Sequence, residues 1–167
     1  MTGSVPGLLA DIYDAWRAND LDRLATYLPD DFAHFINIPS ALHPLGEVRQ
    51  GKGAVIERLG LLFQEFETQQ FEIGPIAIGP DSACVELRTR CRHRPSGAML
   101  EMTKSNLWTL EGGWPVKLFE HYDLDRFQAF LQSARGKSSR ARNRAALMLS
   151  AGGRTPVWLR AAASVSP

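Results

Sequence analysis

The chain has 167 residues, 44% of them hydrophobic and 9% aromatic, and a formal net charge of +1. That length fits one domain with one core, and the apolar content excludes a globally disordered chain. The neutral balance hides a split: residues 1–133 carry twelve Lys and Arg against eighteen Asp and Glu, whereas residues 134–167 carry seven basic residues and no acid.

No apolar run approaches the roughly 20 residues that cross a bilayer. The opening string Met1-Thr2-Gly3-Ser4-Val5-Pro6 has neither the basic nor the apolar region of a secretory signal, so a cytoplasmic location is expected. Cys84 and Cys91 fall in one extended segment, about 23 Å apart at the rise of a strand, and are expected to be free thiols. Neither belongs to a CxxC cluster, so no metal site is expected.

Along the chain, Leu8, Leu9, Ile12, Tyr13 and Trp16 have helical spacing. Asn19-Asp20 breaks this helix and Asp20 can cap a short second one, which carries Leu21, Leu24 and Leu28 and stops at Pro29. A strand is expected over residues 32–38, then a long loop over residues 39–51. Residues 52–66 place Val55, Ile56, Leu59, Leu62, Phe63 and Phe66 on one helical stripe. Beyond residue 68 the period becomes two. Strands are expected over residues 70–78, 83–93, 99–110 and 116–122, with turns at Gly79-Pro80-Asp81, Pro95-Ser96-Gly97 and Glu111-Gly112-Gly113. Asp123 or Asp125 then caps a short helix with Phe127, Phe130 and Leu131. Helices first and antiparallel strands afterwards indicate an α+β fold: a curved antiparallel sheet packed on three N-terminal helices.

Several strings in this order resemble the nuclear transport factor 2-like superfamily, in its SnoaL-like and ketosteroid isomerase-like branch. They are Tyr13-Asp14-Ala15-Trp16 with Asn19-Asp20-Leu21-Asp22, Leu28-Pro29-Asp30-Asp31-Phe32, Pro44-Leu45-Gly46, Gly51-Lys52-Gly53-Ala54-Val55, and Glu111-Gly112-Gly113-Trp114 leading into Phe119-Glu120-His121-Tyr122-Asp123. The resemblance covers residues 7–132. It implies a cone-shaped sheet around an apolar pocket, often dimerising through the outer face of the sheet.

It also implies places for chemistry. Ketosteroid isomerases need a carboxylate base on the first strand, but the chain has Ile36, Asn37 and Ile38 there; the oxyanion-donor position falls near Asn106. An epoxide hydrolase relay needs Asp-Arg-Asp, yet Arg88, Arg90 and Arg92 have outward parity and the fourth long segment offers Lys104 and Asn106 without an Asp. The cyclase arrangement, an Asp near the end of the last strand assisted by His, points to His34, His121 and Asp123 as catalytic residues. Tyr13, Trp16, Asn37, Asn106, Trp108 and Tyr122 are the expected ligand contacts. Parity sets Glu120 and Tyr122 with Leu118 on the inner face and His121 outside, unless the strand bulges; Asp123 also reads as a helix cap. A carbonyl-stabilised carbanion needs no metal or cofactor, so none is expected. The chain thus reads as a cofactor-independent isomerase, cyclase or dehydratase for a small apolar carbonyl compound. The alternative is a non-catalytic ligand-binding or dimerisation module.

The arginine stripe Arg88 to Arg94 sits in an acidic body without interleaved aromatics, which favours a solvated or dimer face over nucleic acid. Residues 134–167, rich in Ala, Arg and Ser, read as a separate basic tail. Three readings stay open for it: disorder, a polyanion-binding arm, or a segment without an evolved role.

Overall fold

A computed structural model describes residues 4–151, with side-chain surroundings through residue 144. Helix α1 (Val5–Arg17) starts at Ser4, whose hydroxyl accepts from the Gly7 amide, and ends before Asn19 at φ +55°. Asp20 caps α2 (Leu21–Tyr27) through the Arg23 amide at 3.0 Å. Strand β1 (Ala33–Ile36) and the two-residue strand β2 (Arg49–Gln50) precede α3 (Lys52–Glu65), so the third helix follows two strands. Gly51 supplies the turn into α3 with φ +91°, a conformation that favours glycine.

The long strands β3 (Phe66–Ile78), β4 (Ser82–His93), β5 (Met99–Glu111) and β6 (Trp114–His121) follow, and α4 (Leu124–Ala151) ends the described chain. The curved sheet has the order β2-β1-β6-β5-β4-β3. All pairs are antiparallel except β1 with β6, which run parallel, so the expectation of a purely antiparallel sheet is corrected there. The parallel pair arises because β1 is separated from β6 by the whole meander. Strand β3 lies at the edge and shifts register between Ile73 and Ile76, which accommodates Pro75 where no ladder partner loses a bond.

Two apolar clusters form the core. One joins α1, α2 and α3 to the sheet through Leu9, Ile12, Leu24, Leu59, Val85 and Trp108. The other sits under α4, where Phe127 and Phe130 meet Ile36, Leu100, Met102 and Tyr122. Helix α4 is far longer than the short helix expected from the sequence. It runs through residue 133, where the charge balance changes, because nothing in the string up to Ala151 breaks it. Its described side chains beyond Ala134 are exposed, apart from a half-buried Ser138. The Gly152-Gly153 and Pro156 breaks and the rest of the basic tail lie outside the described residues. Among the described residues, no helix is long and apolar enough to cross a membrane. Cys84 and Cys91 are free thiols.

Candidate functional site

Strand β5 alternates strictly, sending Leu100, Met102, Lys104, Asn106, Trp108 and Leu110 inward. Two of those inward positions are polar, and one is charged. On the neighbouring strand, Glu120 stands opposite Asn106 in register, diagonal to Lys104. His34 reaches the same place from β1. The result is a buried chain of three groups. The Lys104 ammonium donates to Glu120 Oε2, and His34 Nε2–H donates to Glu120 Oε1 at 2.7 Å. A carboxylate only accepts, so His34 carries its proton on Nε2. Lys104 is 7% exposed, and His34 and Glu120 are 0% exposed.

The electrostatics follow from this geometry. Burial by itself would raise the Glu120 carboxyl, but the Lys104 charge and the His34 hydrogen bond pull it down to about 2. Burial works against the Lys104 ammonium, yet the Glu120 carboxylate overcomes it and holds the amine protonated above its ordinary value. The Tyr122 phenol is pushed up to about 12, first by burial and then by the Glu120 carboxylate, so it stays a neutral donor.

His34 borders only a void of about 10 Å³, while Lys104 is the member of this chain that reaches the larger cavity. It lines a cavity of about 80 Å³ at the seam of the two apolar clusters, walled by Trp16, Phe63, Phe66, Phe71, Tyr122 and Phe127 among others. Its Nζ lies 5.6 Å from the centre of the Trp16 ring and 5.0 Å from that of Tyr122, both on the cavity wall. Thr68, Thr89 and Cys91 add weakly polar lining; burial raises the Cys91 thiol. A ligand here meets apolar walls and one strong cationic donor. Among the described residues, no group of three His, Cys, Asp or Glu can hold a metal ion.

The residues expected from sequence fall in different places. His34 is buried in the polar chain, behind Glu120. His121 and Asp123 are exposed and do not join it. The Asn37 side-chain amide lies 3.4 Å from His121 Nδ1. Asp123 caps α4 by accepting from the Arg126 amide at 3.1 Å. The grouping of His34, His121 and Asp123 is therefore corrected: no bulge separates Ser105–His121 from Leu107–Phe119, so parity turns His121 outward. Replacing Asp123 by Ala is expected to cost about 1 kcal/mol in thermal or urea unfolding, as loss of a helix cap does, and to leave ligand binding unchanged.

Of the expected contacts, Trp16 and Tyr122 line the cavity. Asn37 instead clamps the end of β6, donating to Tyr122 O at 3.0 Å and accepting from Tyr122 N at 2.7 Å. Asn106 and Trp108 both donate to the Tyr13 hydroxyl, at 3.1 and 2.9 Å, in the core behind the cavity. The Asn106 amide nitrogen is thus spent on Tyr13, and its Oδ1 is buried without a partner. Lys104 and Glu120 were not among the candidates. Their parity, shared with Asn106 and Leu118, was the signal that could have found them.

The comparisons with known proteins agree with this architecture. The SnoaL-like domain profile matches residues 9–121. The chain belongs to the SnoaL-like domain family. Among solved structures, a provisionally assigned isomerase from Rhodopseudomonas palustris is 20% identical, with a TM-score of 0.66 over 81% of this chain and 99% of that one. A nuclear transport factor 2-like protein of unknown function from Burkholderia pseudomallei is 16% identical, with a TM-score of 0.69 over 77% and 98%. An LEH-like epoxide hydrolase of Mycobacterium tuberculosis is 13% identical, with a TM-score of 0.62 over 77% and 90%. At these identities the likeness concerns the fold. No curated protein matches the chain.

Proposed function

We propose that this SnoaL-like protein binds a small apolar carbonyl compound and stabilises the negative charge that develops on its oxygen, as isomerases, cyclases and dehydratases of carbonyl compounds require. The observation that carries this reading is the Lys104 ammonium on an apolar cavity wall, fixed from behind by Glu120 and His34. A preorganised cation in a dry site acts on an enolate oxygen more strongly than the same cation in water. Carbanion chemistry of this kind needs no cofactor. His34 acts through Glu120 as a positioning residue.

A second reading has its own observation. Glu120 is tied to Lys104 and His34, lies behind the ammonium, and is held at about 2, which makes it a poor base. That arrangement favours a module that binds a carbonyl compound without turning it over. The two readings separate in deuterium oxide with 2-hexanone as probe. The enzyme reading expects the native protein to accelerate exchange of the protons next to the carbonyl, and Lys104→Met to abolish the acceleration. Binding of 2-hexanone without faster exchange would establish the binding module.

For assembly we read a homodimer through the outer sheet face. Phe35, Phe119, Leu107 and Cys84 stand side by side across four strands there, with Leu107 48% exposed, and such a stripe fits a second copy. Two free thiols suit a reducing, cytoplasmic compartment.

A further inference from the structure

The cavity at Lys104 is small. Its volume of about 80 Å³ is below the roughly 150 Å³ that takes up benzene, so it encloses only the end of a ligand. Leu45 and Leu62, on its wall, also line a second groove of about 370 Å³ between α3 and the loop before β2. The two spaces therefore adjoin at these leucines, and a ligand too long for the cavity at Lys104 would extend toward that groove.

The groove holds a cation with no carboxylate bonded to it among the described residues. Arg58 lines it and is 4% exposed, yet its guanidinium bonds only to backbone oxygens, of His34 and Glu47. Among the described residues it pairs with no carboxylate. Counting the buried ions Arg58, Lys104 and Glu120, two cations share one anion, and that anion is already held by Lys104. Burial and the neighbouring Arg49 charge push the Arg58 guanidinium below its ordinary value, and the more distant Glu120 and Glu47 carboxylates offset this only in part. The other charged groups lining the groove do not answer it. Glu65 is bonded to His93 at 3.0 Å, Glu57 is exposed, Arg49 is a second cation paired with Glu47 at 2.9 Å, and His43 is held below its ordinary value chiefly by burial. A nearly buried guanidinium without a counterion is costly unless an anion completes it.

Resting on the reading that a carbonyl oxygen sits at Lys104, we propose that the groove at Arg58 and Arg49 receives an anionic group at the far end of the same ligand, so that the ligand class is an apolar oxo acid. The planar guanidinium suits a carboxylate accepted through paired N–H donors.

Calorimetric titration of the full chain with 6-oxoheptanoate and with its methyl ester tests this, since both carry the ketone and only the first carries the charge. The acid is expected to bind at least about tenfold more tightly, the scale of one charged hydrogen bond. Arg58→Gln is expected to erase that preference. Arg49→Gln, at a half-exposed residue where the fold is not at stake, is expected to reduce it by about threefold. Lys104→Met should weaken both compounds alike. Equal binding of acid and ester overturns the inference and leaves the carbonyl reading standing, whereas a preference that survives both arginine variants and vanishes only with Lys104→Met puts the carboxylate at Lys104 and overturns both. Binding of neither compound to the native protein overturns both.

Discussion

Replacing Lys104 by Met is expected to destabilise the protein by about 3–5 kcal/mol, because it leaves the Glu120 carboxylate buried against His34 alone. For a chain of this size that corresponds to a fall of about 10 °C in Tm. Glu120→Gln should cost a similar amount, by stranding the ammonium instead. The combined Lys104→Met and Glu120→Gln variant should be more stable than either single variant and lie within about 2 kcal/mol of the native protein, since the amide still accepts from His34 and no unpaired charge remains. Urea unfolding of the four proteins measures the cycle. Additive losses would show that the two groups do not form a pair. The double variant is informative for function too, since it restores stability without restoring the cation that faces the cavity.

Acid titration is expected to expose the same pair. Glu120 sits near 4.5 in the unfolded chain and at about 2 when folded. Between those values the unfolded chain binds a proton that the folded chain does not, so lowering the pH favours unfolding. The stabilisation is complete above pH 4.5 and is lost as the pH falls through 2, an amount of about 3 kcal/mol from the size of the shift. Other carboxylates titrate in the same window, so the reading must come from a difference. The stability gap between native protein and Glu120→Gln should narrow by about 3 kcal/mol from pH 5 to pH 2. A gap independent of pH would mean that Glu120 is not held as a carboxylate.

Much of the fold was legible because local chemistry and tertiary packing agree. The stripe from Val55 to Phe63 and the alternation from Ala83 to Cys91 both became the elements they read as. Strand β2 was hidden because two residues carry no period, and Arg49-Gln50 pairs only through its contact with β1. The length of α4 was hidden because residues 135–144 are almost all polar and include Gly136, with no apolar stripe to read; its first turns dock through Phe127 and Phe130, and the rest continues on backbone hydrogen bonding.

The site was less legible for a related reason. His121 and Asp123 attract attention by residue type, but type does not say which face a strand presents. Parity does, and it turns His121 out while carrying Glu120 and Lys104 in. A lysine among inward positions conflicts with the apolar pattern around it, and such conflicts mark functional sites more often than the pattern itself does. What the sequence could not show is the pairing. Lys104 is tolerable inside only because Glu120 lies diagonally across the ladder, and Glu120 only because His34 completes its acceptors. That three-way fit depends on the register of β1, β6 and β5.

The proposed chemistry requires the ammonium of Lys104 to hold a carbonyl oxygen. Carbon-13 resonance of 2-hexanone labelled at its carbonyl carbon tests this most directly, because a charged hydrogen bond to the oxygen deshields that carbon. The native protein is expected to move the bound resonance downfield of its position in water, and the stable double variant, which keeps the cavity but lacks the cation, is expected to move it upfield. Binding with the same carbonyl shift in both proteins would contradict the account.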